Sequence, residues 1–205
     1  TKIGWKGLSY GPDSGVYRVG PLGRLNVSNG MAPPLAQAEY EEMYKTLGGK
    51  PVHHTLATHW ARLIELLYAT ERWVELATDP EITGKEYRVL PTEPPTEGIG
   101  CVEAPRGTLT HHYATDERGI LTKVNLIVGT TNNNAPIHMV TKKIAKALIK
   151  PGKEPDQGIL NMIEMAFRAY DPCFGCATHS LPGQMPLEVR IRDADGEVVR
   201  VFRRP

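Results

Sequence analysis

Asp171-Pro172-Cys173-Phe174-Gly175-Cys176-Ala177-Thr178-His179 carries two of the chain's three cysteines, followed by a histidine. Two thiolates at positions i and i+3 can close on one soft or borderline metal ion, but they supply only half of a four-coordinate site. Proline at 172 disfavours helical geometry at Asp171, so the apolar repeat Ile159, Ile163, Phe167 and Tyr170 reads as a helix that stops there and hands its end to the cysteines. A zinc ribbon would need a second Cys-x-x-Cys or a paired histidine, and Cys101 with His111, His112 or His179 fits those spacings poorly. A thioredoxin-like redox pair opens a helix, whose N-terminal field lowers a thiol pKa; this pair is expected to follow one instead.

Working outward, Leu187–Ile191 and Val198–Phe202 flank Asp193-Ala194-Asp195-Gly196, the signature of a hairpin. Upstream, Ile137, Val140, Ile144 and Leu148 give a second amphipathic helix, for which Thr130-Thr131-Asn132-Asn133-Asn134 has the residue types of an N-cap. Gly100–Glu103, Thr108–Tyr113 and Leu121–Val128, rich in β-branched and aromatic residues, predict a small antiparallel sheet with Asp116-Glu117-Arg118-Gly119 as a turn. Between the first two strands lies Glu103-Ala104-Pro105-Arg106-Gly107, which taken alone reads as a surface turn with a salt bridge. Cys101 alone reads as a small buried hydrophobe. A weak hairpin is expected near Tyr87–Leu90, between Pro80 and the proline-rich 91–100 segment. The longest helix is predicted over 54–77, where Leu56, Trp60, Leu63, Leu67 and Val74 form one apolar stripe. A short helix is expected from Pro33 to Leu47 with Gly48-Gly49 as its stop, and residues 1–32 read as irregular, without a helix. His53, His54 and His59 read as core or surface residues. The fold class is α+β, mainly α: a helical bundle with small antiparallel β-sheets.

Of the 205 residues, 40% are apolar, enough for a real core, and the net charge of +1 gives no electrostatic reason to invoke nucleic acid or an anionic membrane. The arginines from Arg200 to Arg204 read as a solvated end. No apolar run of about 18 residues suggests a membrane span, and Thr1–Tyr10 lacks a secretory pattern, so a cytoplasmic setting is expected. Three cysteines do not make a disulfide framework.

Taken together and in order, these segments are specific. The chain resembles the large subunit of nickel-iron hydrogenases, whose signature near the C-terminus is Asp-Pro-Cys-x-x-Cys-x-x-His. Glu103-Ala104-Pro105-Arg106-Gly107-Thr108-Leu109-Thr110-His111 and Thr130-Thr131-x-Asn133 are similar to that family's other pocket motifs. Gly15-Val16-Tyr17-Arg18-Val19-Gly20-Pro21-Leu22 and Pro51-Val52-His53-His54 resemble its cytoplasmic, viologen-reducing branch. The resemblance runs from about Trp5 to His179 and covers the C-terminal half of a typical large subunit.

The resemblance implies reversible heterolytic cleavage of dihydrogen at a Ni-Fe centre whose iron carries carbon monoxide and cyanide. Cys173 would be a terminal nickel ligand and Cys176 a bridging thiolate. Arg106, paired with Asp171, would set a cation beside the metals; Pro105 would help wall the diatomic ligands and Thr130 would donate to a cyanide. Such roles are physically coherent, since a cyanide in an apolar pocket needs a donor and a fixed cation assists charge separation. His179 and a backbone carbonyl at Leu126 would hold a magnesium or similar ion. Electrons would leave through iron-sulfur clusters, which need more cysteines than this chain has, so an iron-sulfur small subunit is implied as partner.

Three departures shape the expectation. The family's N-terminal Cys-x-x-Cys and proton-relaying glutamate are absent, so a second chain supplying the N-terminal half is expected, as in a split large subunit, with a fragment of a longer chain as the alternative. Residues 180–205 follow His179, where a maturation endopeptidase normally cuts; the domain expectation is therefore 1–179 as the large-subunit part and 180–205 as an extension forming a β-hairpin. Gly129 stands where the family often has proline. The rival readings are a zinc-binding interaction module and a quinone-reductase-like structural subunit, the latter disfavoured by the retained Cys173 and Cys176.

Overall fold

The computed structural model describes residues 14–150, 152, 155–181 and 187–204. The expectations placed on Thr1–Tyr10, on Trp5 and on Gly11–Asp13 lie outside the described residues. The chain divides into two compact units, Thr1–Pro172 and Cys173–Pro205. The architecture is mainly helical with small antiparallel sheets, as the sequence predicts.

The first helix among the described residues is one that the sequence reading excludes: α1, Pro21–Val27. Pro21 at its first position brings a preset φ, and Leu22 and Leu25 are each only 1% exposed. Burial of these leucines against the neighbouring helices outweighs the turn-rich composition around them. Helix α2, Pro34–Thr46, and helix α3, Ala57–Ala77, complete the cluster. Tyr40, Met43 and Tyr44 of α2 and Ala57, Ala61 and Ile64 of α3 pack on Leu22, Leu25 and Val52. Two orphan N–H groups at the start of α2, those of Leu35 and Ala36, are satisfied from α3 by the two Glu71 carboxylate oxygens at 3.1 and 2.8 Å.

Helix α3 ends at the predicted Ala77 but starts later, at Ala57, and it buries a different face. The contacts are made at Ala57, Ala61 and Ile64, where two alanines let the helices approach closely, whereas Leu56, Leu63 and Val74 of the expected stripe stand 52%, 64% and 67% exposed. Trp60 is partly buried at the edge of the core cluster. A short 3₁₀ turn, Pro80–Thr83, follows, and the chain then runs exposed and irregular through Tyr87–Leu90, where the sequence predicts a hairpin. Among the described residues that segment has no neighbouring strand to pair with, and the first strand, β1, starts only at Glu97.

Strands β1 (Glu97–Ala104), β2 (Gly107–Thr115) and β3 (Leu121–Ile127) form an antiparallel meander in the order β1-β2-β3. The β2–β3 turn is held as the sequence suggests: Asp116 Oδ1 accepts from the backbone N–H of Arg118 and of Ile120, each at 2.9 Å. Cys101 is exposed rather than buried, because β1 is an edge strand. After β3 come a single helical turn α4 (Gly129–Asn132), then α5 (Asn134–Leu148) and α6 (Gln157–Arg168), which pack on each other.

The second unit opens with α7, Phe174–Thr178, and ends in the predicted hairpin of β4 (Leu187–Arg192) and β5 (Val198–Arg204). The arginine-rich end is tied down locally, with Arg203 Nε 2.8 Å from Glu188 and the Arg200 guanidinium 4.7 Å above the Phe202 ring. Among the described residues no helix is long and apolar enough to cross a membrane.

Candidate functional site

The β1–β2 connection is as short as a hairpin allows. Ala104 pairs with Gly107, leaving Pro105 and Arg106 as the loop. Arg106 is thereby held at the tip of a rigid element. Its Nε donates to the backbone carbonyl of Asp171 at 2.7 Å and lies 3.1 Å from the Asp171 carboxylate. The pairing implied by the sequence is therefore made within the first unit. Both side chains are 45% exposed, and no partner among the described residues takes the two terminal NH₂ groups of Arg106. An ion pair so exposed adds little stability. What it provides is a fixed guanidinium with two donors left over.

Asp171 reaches that position because α6 ends three residues earlier. Its φ is 50°, a left-handed conformation that aspartate tolerates better than most residues, and its own N–H caps Arg168. The helix stops before the proline at 172 as expected, at Arg168, just short of the last residue of the apolar repeat, Tyr170.

The turn that carries Arg106 is walled by two glycines. A Cβ on Gly20 would meet the Arg106 carbonyl at 3.2 Å, and one on Gly129 would meet Gly107 N at 3.0 Å and Arg106 C at 3.1 Å. Gly129 opens α4, so the same close approach brings Thr130, only 5% exposed, next to the turn. The predicted capping role of this segment is not borne out: α5 is preceded by Asn133, whose side chain caps nothing. Instead Asn133, 1% exposed, accepts from the Val19 N–H at 3.0 Å and donates weakly to the Arg106 carbonyl at 3.5 Å. The adjacent Asn132 donates to the Thr108 carbonyl at 2.9 Å and accepts from the Tyr17 hydroxyl. The 15–22 and 130–133 motifs thus meet around one loop. Gly20 and Gly129 are the residues whose roles sequence reading misses; their only signal is a glycine on each side, and a close backbone approach leaves no periodicity.

Glu103, at the end of β1, accepts from Thr108 Oγ1 at 2.5 Å and is 3.0 Å from Arg24. Burial pushes its pKa up, but those hydrogen bonds and the Arg24 charge outweigh it and hold the carboxyl below its usual 4.5. Leu126 lies opposite His111 in the β2–β3 register, and His111 Nδ1 is 2.7 Å from the Tyr113 hydroxyl.

In the second unit, Cys173 is the N-cap of α7, its sulfur accepting from Cys176 N–H at 3.4 Å. The pair follows α6 in the chain but also opens a helix, so the expectation that it would not is corrected. The helix is only one turn and begins because Cys173 itself caps it. The two cysteine Cα atoms are 5.3 Å apart and the sulfurs are joined as a disulfide. His179 ends the turn with a left-handed φ of 56°.

As a donor set, two sulfurs on one helical turn suit a soft metal once they are reduced to thiolates. No group of three His, Cys, Asp or Glu among the described residues could hold an ion. The residues present thus fit half of a four-thiolate Ni-Fe clamp, and they do not amount to a self-contained zinc site.

A family model for nickel-dependent hydrogenases matches residues 12–179. An F420-non-reducing hydrogenase iron-sulfur subunit of Archaeoglobus profundus is 48% identical over 202 residues, which is 98% of this chain and 41% of the relative. The beta subunit of the NAD-reducing hydrogenase HoxS of Cupriavidus necator is 47% identical over 193 residues, 92% of this chain and 39% of the relative. Among solved structures, an NAD⁺-reducing [NiFe]-hydrogenase in the H₂-reduced state superposes with a TM-score of 0.76 at 42% identity, over 83% of this chain and 37% of the other. The Ni-Fe-Se hydrogenase of D. vulgaris Hildenborough gives 0.54 at 26% identity, over 82% and 36%. The chain spans about two fifths of the length of the curated relatives it matches.

Proposed function

The chain belongs to the nickel-dependent hydrogenase family, and from that premise we propose that it forms the C-terminal part of a hydrogenase large subunit performing reversible heterolytic cleavage of dihydrogen. The observation that carries this reading is the fixed Arg106–Asp171 pair, whose aspartate is separated in the chain from Cys173 only by Pro172. A solvated surface turn would not need Gly20, Gly129 and Asn133 arranged around it.

Cys173 and Cys176 would hold the Ni-Fe centre, both as thiolates. The bound Ni-Fe centre, with carbon monoxide and cyanide on iron, supplies the Lewis acidity that polarises the H–H bond. Arg106 would offer its two unengaged NH₂ groups as a cation for the separating charges, and Asp171 keeps that cation from swinging away. Cys173 Sγ would receive the proton of the cleaved dihydrogen, and the electron pair would leave through the iron-sulfur partner. Pro105 would exclude water from the diatomic ligands, and the Thr130 hydroxyl would donate to a cyanide nitrogen, which an apolar pocket would otherwise leave unsatisfied. His179 with the Leu126 carbonyl would hold a magnesium ion.

Two further thiolates must come from residues beyond these 205, as a separate N-terminal polypeptide or as another part of the same protein. With only three cysteines here, the electron path requires an iron-sulfur small subunit. We place the complex in the cytoplasm, on its resemblance to the viologen-reducing branch. Residues 1–179 make up the large-subunit part, and 180–205 the extension on which a maturation endopeptidase would act. Relatives as different as that of Archaeoglobus match across nearly the whole chain, which supports an extension encoded in common. The exposed apolar residues on α3 are consistent with a chain that spans two fifths of its relatives.

Metal analysis of the assembled complex, paired with dihydrogen-dependent viologen reduction, tests this reading. Nickel with turnover is expected, and iron in excess of nickel because the iron-sulfur partner adds its own. Zinc without nickel would overturn it in favour of an interaction module.

A further inference from the structure

Arg24, on α1, uses all five of its N–H donors. Its Nε and one Nη2 hydrogen reach the two Glu65 carboxylate oxygens on α3, each at 2.6 Å. The remaining three go to a single turn: Nη1 to Glu103 at 3.0 Å and to the Ala104 carbonyl at 2.9 Å, and Nη2 to the Pro105 carbonyl at 3.1 Å. A residue serving only to tie α1 to α3 would be satisfied by Glu65, which already takes its fork in the bidentate geometry that guanidinium and carboxylate favour. Instead its outer edge grips two consecutive carbonyls immediately before Arg106.

We propose that Arg24 is a positioning residue for Arg106, fixing the Ala104 and Pro105 peptide planes so that the guanidinium is presented to Asp171 with one heading. What Arg106 does there is taken from the hydrogenase reading; the clamp is a property of this fold alone. The loop has two residues, and Pro105 has its φ set by its ring. Holding the carbonyls on either side of that proline therefore leaves little freedom in the backbone leading to Arg106. Asn133 approaches the next carbonyl, that of Arg106, so three successive carbonyls each have a side-chain donor. Glu65 in turn orients Arg24, and through Arg24 the rigid helix α3 sets the turn. Lysine cannot replace this arrangement, because an ammonium presents three donors from one point and has no fork.

The test uses the assembled complex with Arg24→Lys, Arg24→Gln, Arg106→Lys and the Arg24→Lys/Arg106→Lys double variant. Arg72→Gln, which removes an exposed arginine paired with Glu75 on α3, is the control. Hydrogen–deuterium exchange at the Arg106 and Gly107 amides is expected to rise at least about tenfold in both Arg24 variants and to stay unchanged in the control. Turnover is expected to fall about 10–100-fold in Arg24→Lys, the usual cost of losing a group that orients a site residue. The double variant is expected to lie within about twofold of Arg106→Lys, because a residue acting through Arg106 has nothing left to position. Unchanged exchange in Arg24→Lys, or losses that multiply in the double variant, would overturn the proposal. If the wild-type complex shows no turnover with dihydrogen, the hydrogenase reading fails while the exchange data still decide the clamp.

Discussion

Replacing Gly129 by alanine asks whether the wall behind the Arg106 turn is as close as the structure shows. The added Cβ would lie 3.0 Å from Gly107 N, 3.1 Å from Arg106 C and 3.2 Å from Gly107 O, all backbone atoms that cannot rotate away. Ordinary contact begins near 3.4 Å, so the Arg106–Gly107 peptide must retreat by a few tenths of an ångström or α4 must shift. Overpacking of this kind costs about 1–3 kcal/mol. Against it stands the usual gain on replacing glycine, about 0.4–1 kcal/mol from a stiffer unfolded chain. Overpacking wins, with a net loss on the order of 1 kcal/mol, or roughly 2–4 °C in melting temperature for a chain of this size. The displaced turn also stretches the 2.7 Å bond from the Arg106 Nε to the Asp171 carbonyl. Gly98→Ala is the internal control, since a Cβ there meets nothing within 4 Å. Calorimetry that finds Gly129→Ala more stable than wild type, as an open site would give, refutes the reasoning.

Arg106→Lys should leave the melting temperature within about 1 °C, because the pair is half exposed and such pairs contribute little, while turnover of the complex falls at least about 100-fold through loss of the planar donor set. Cys176→Ser should abolish nickel incorporation as read by elemental analysis, without unfolding the first unit, which circular dichroism would check. The lowered Glu103 pKa gives a signed acid dependence. A carboxyl held below its unfolded value contributes stability that is complete above about pH 4.5 and is lost as pH falls through the lower folded value. Glu103→Gln should flatten that part of the stability–pH curve, modestly, since the side chain is 48% exposed.

How far the sequence can be read follows from what each feature depends on. Helices α2, α3, α5 and α6, the meander and the last hairpin leave periodic or turn-residue patterns, and these elements stand where the patterns put them. Helix α1 leaves none: seven residues between turn signals are helical because Leu22 and Leu25 are buried by partners far along the chain. The same dependence inverts the face of α3, where Leu63 and Val74 are as apolar as any core residue, yet contacts are made through Ala57, Ala61 and Ile64. Cys101 departs from its expected burial for a related reason, since the edge position of β1 is fixed by pairing and not by composition. In the site, Arg106 and Asp171 are legible as residue types within motifs, and the structure pairs them. The glycines at 20 and 129 and the five-donor grip of Arg24 are not, because each exists only once distant segments converge on one turn.

The most direct test of the central claim is infrared spectroscopy on the purified, active complex. Stretching bands of iron-bound carbon monoxide and cyanide are expected, and they should disappear in Cys176→Ser. A preparation that turns over dihydrogen without such bands would contradict the assignment of a Ni-Fe centre to Cys173 and Cys176.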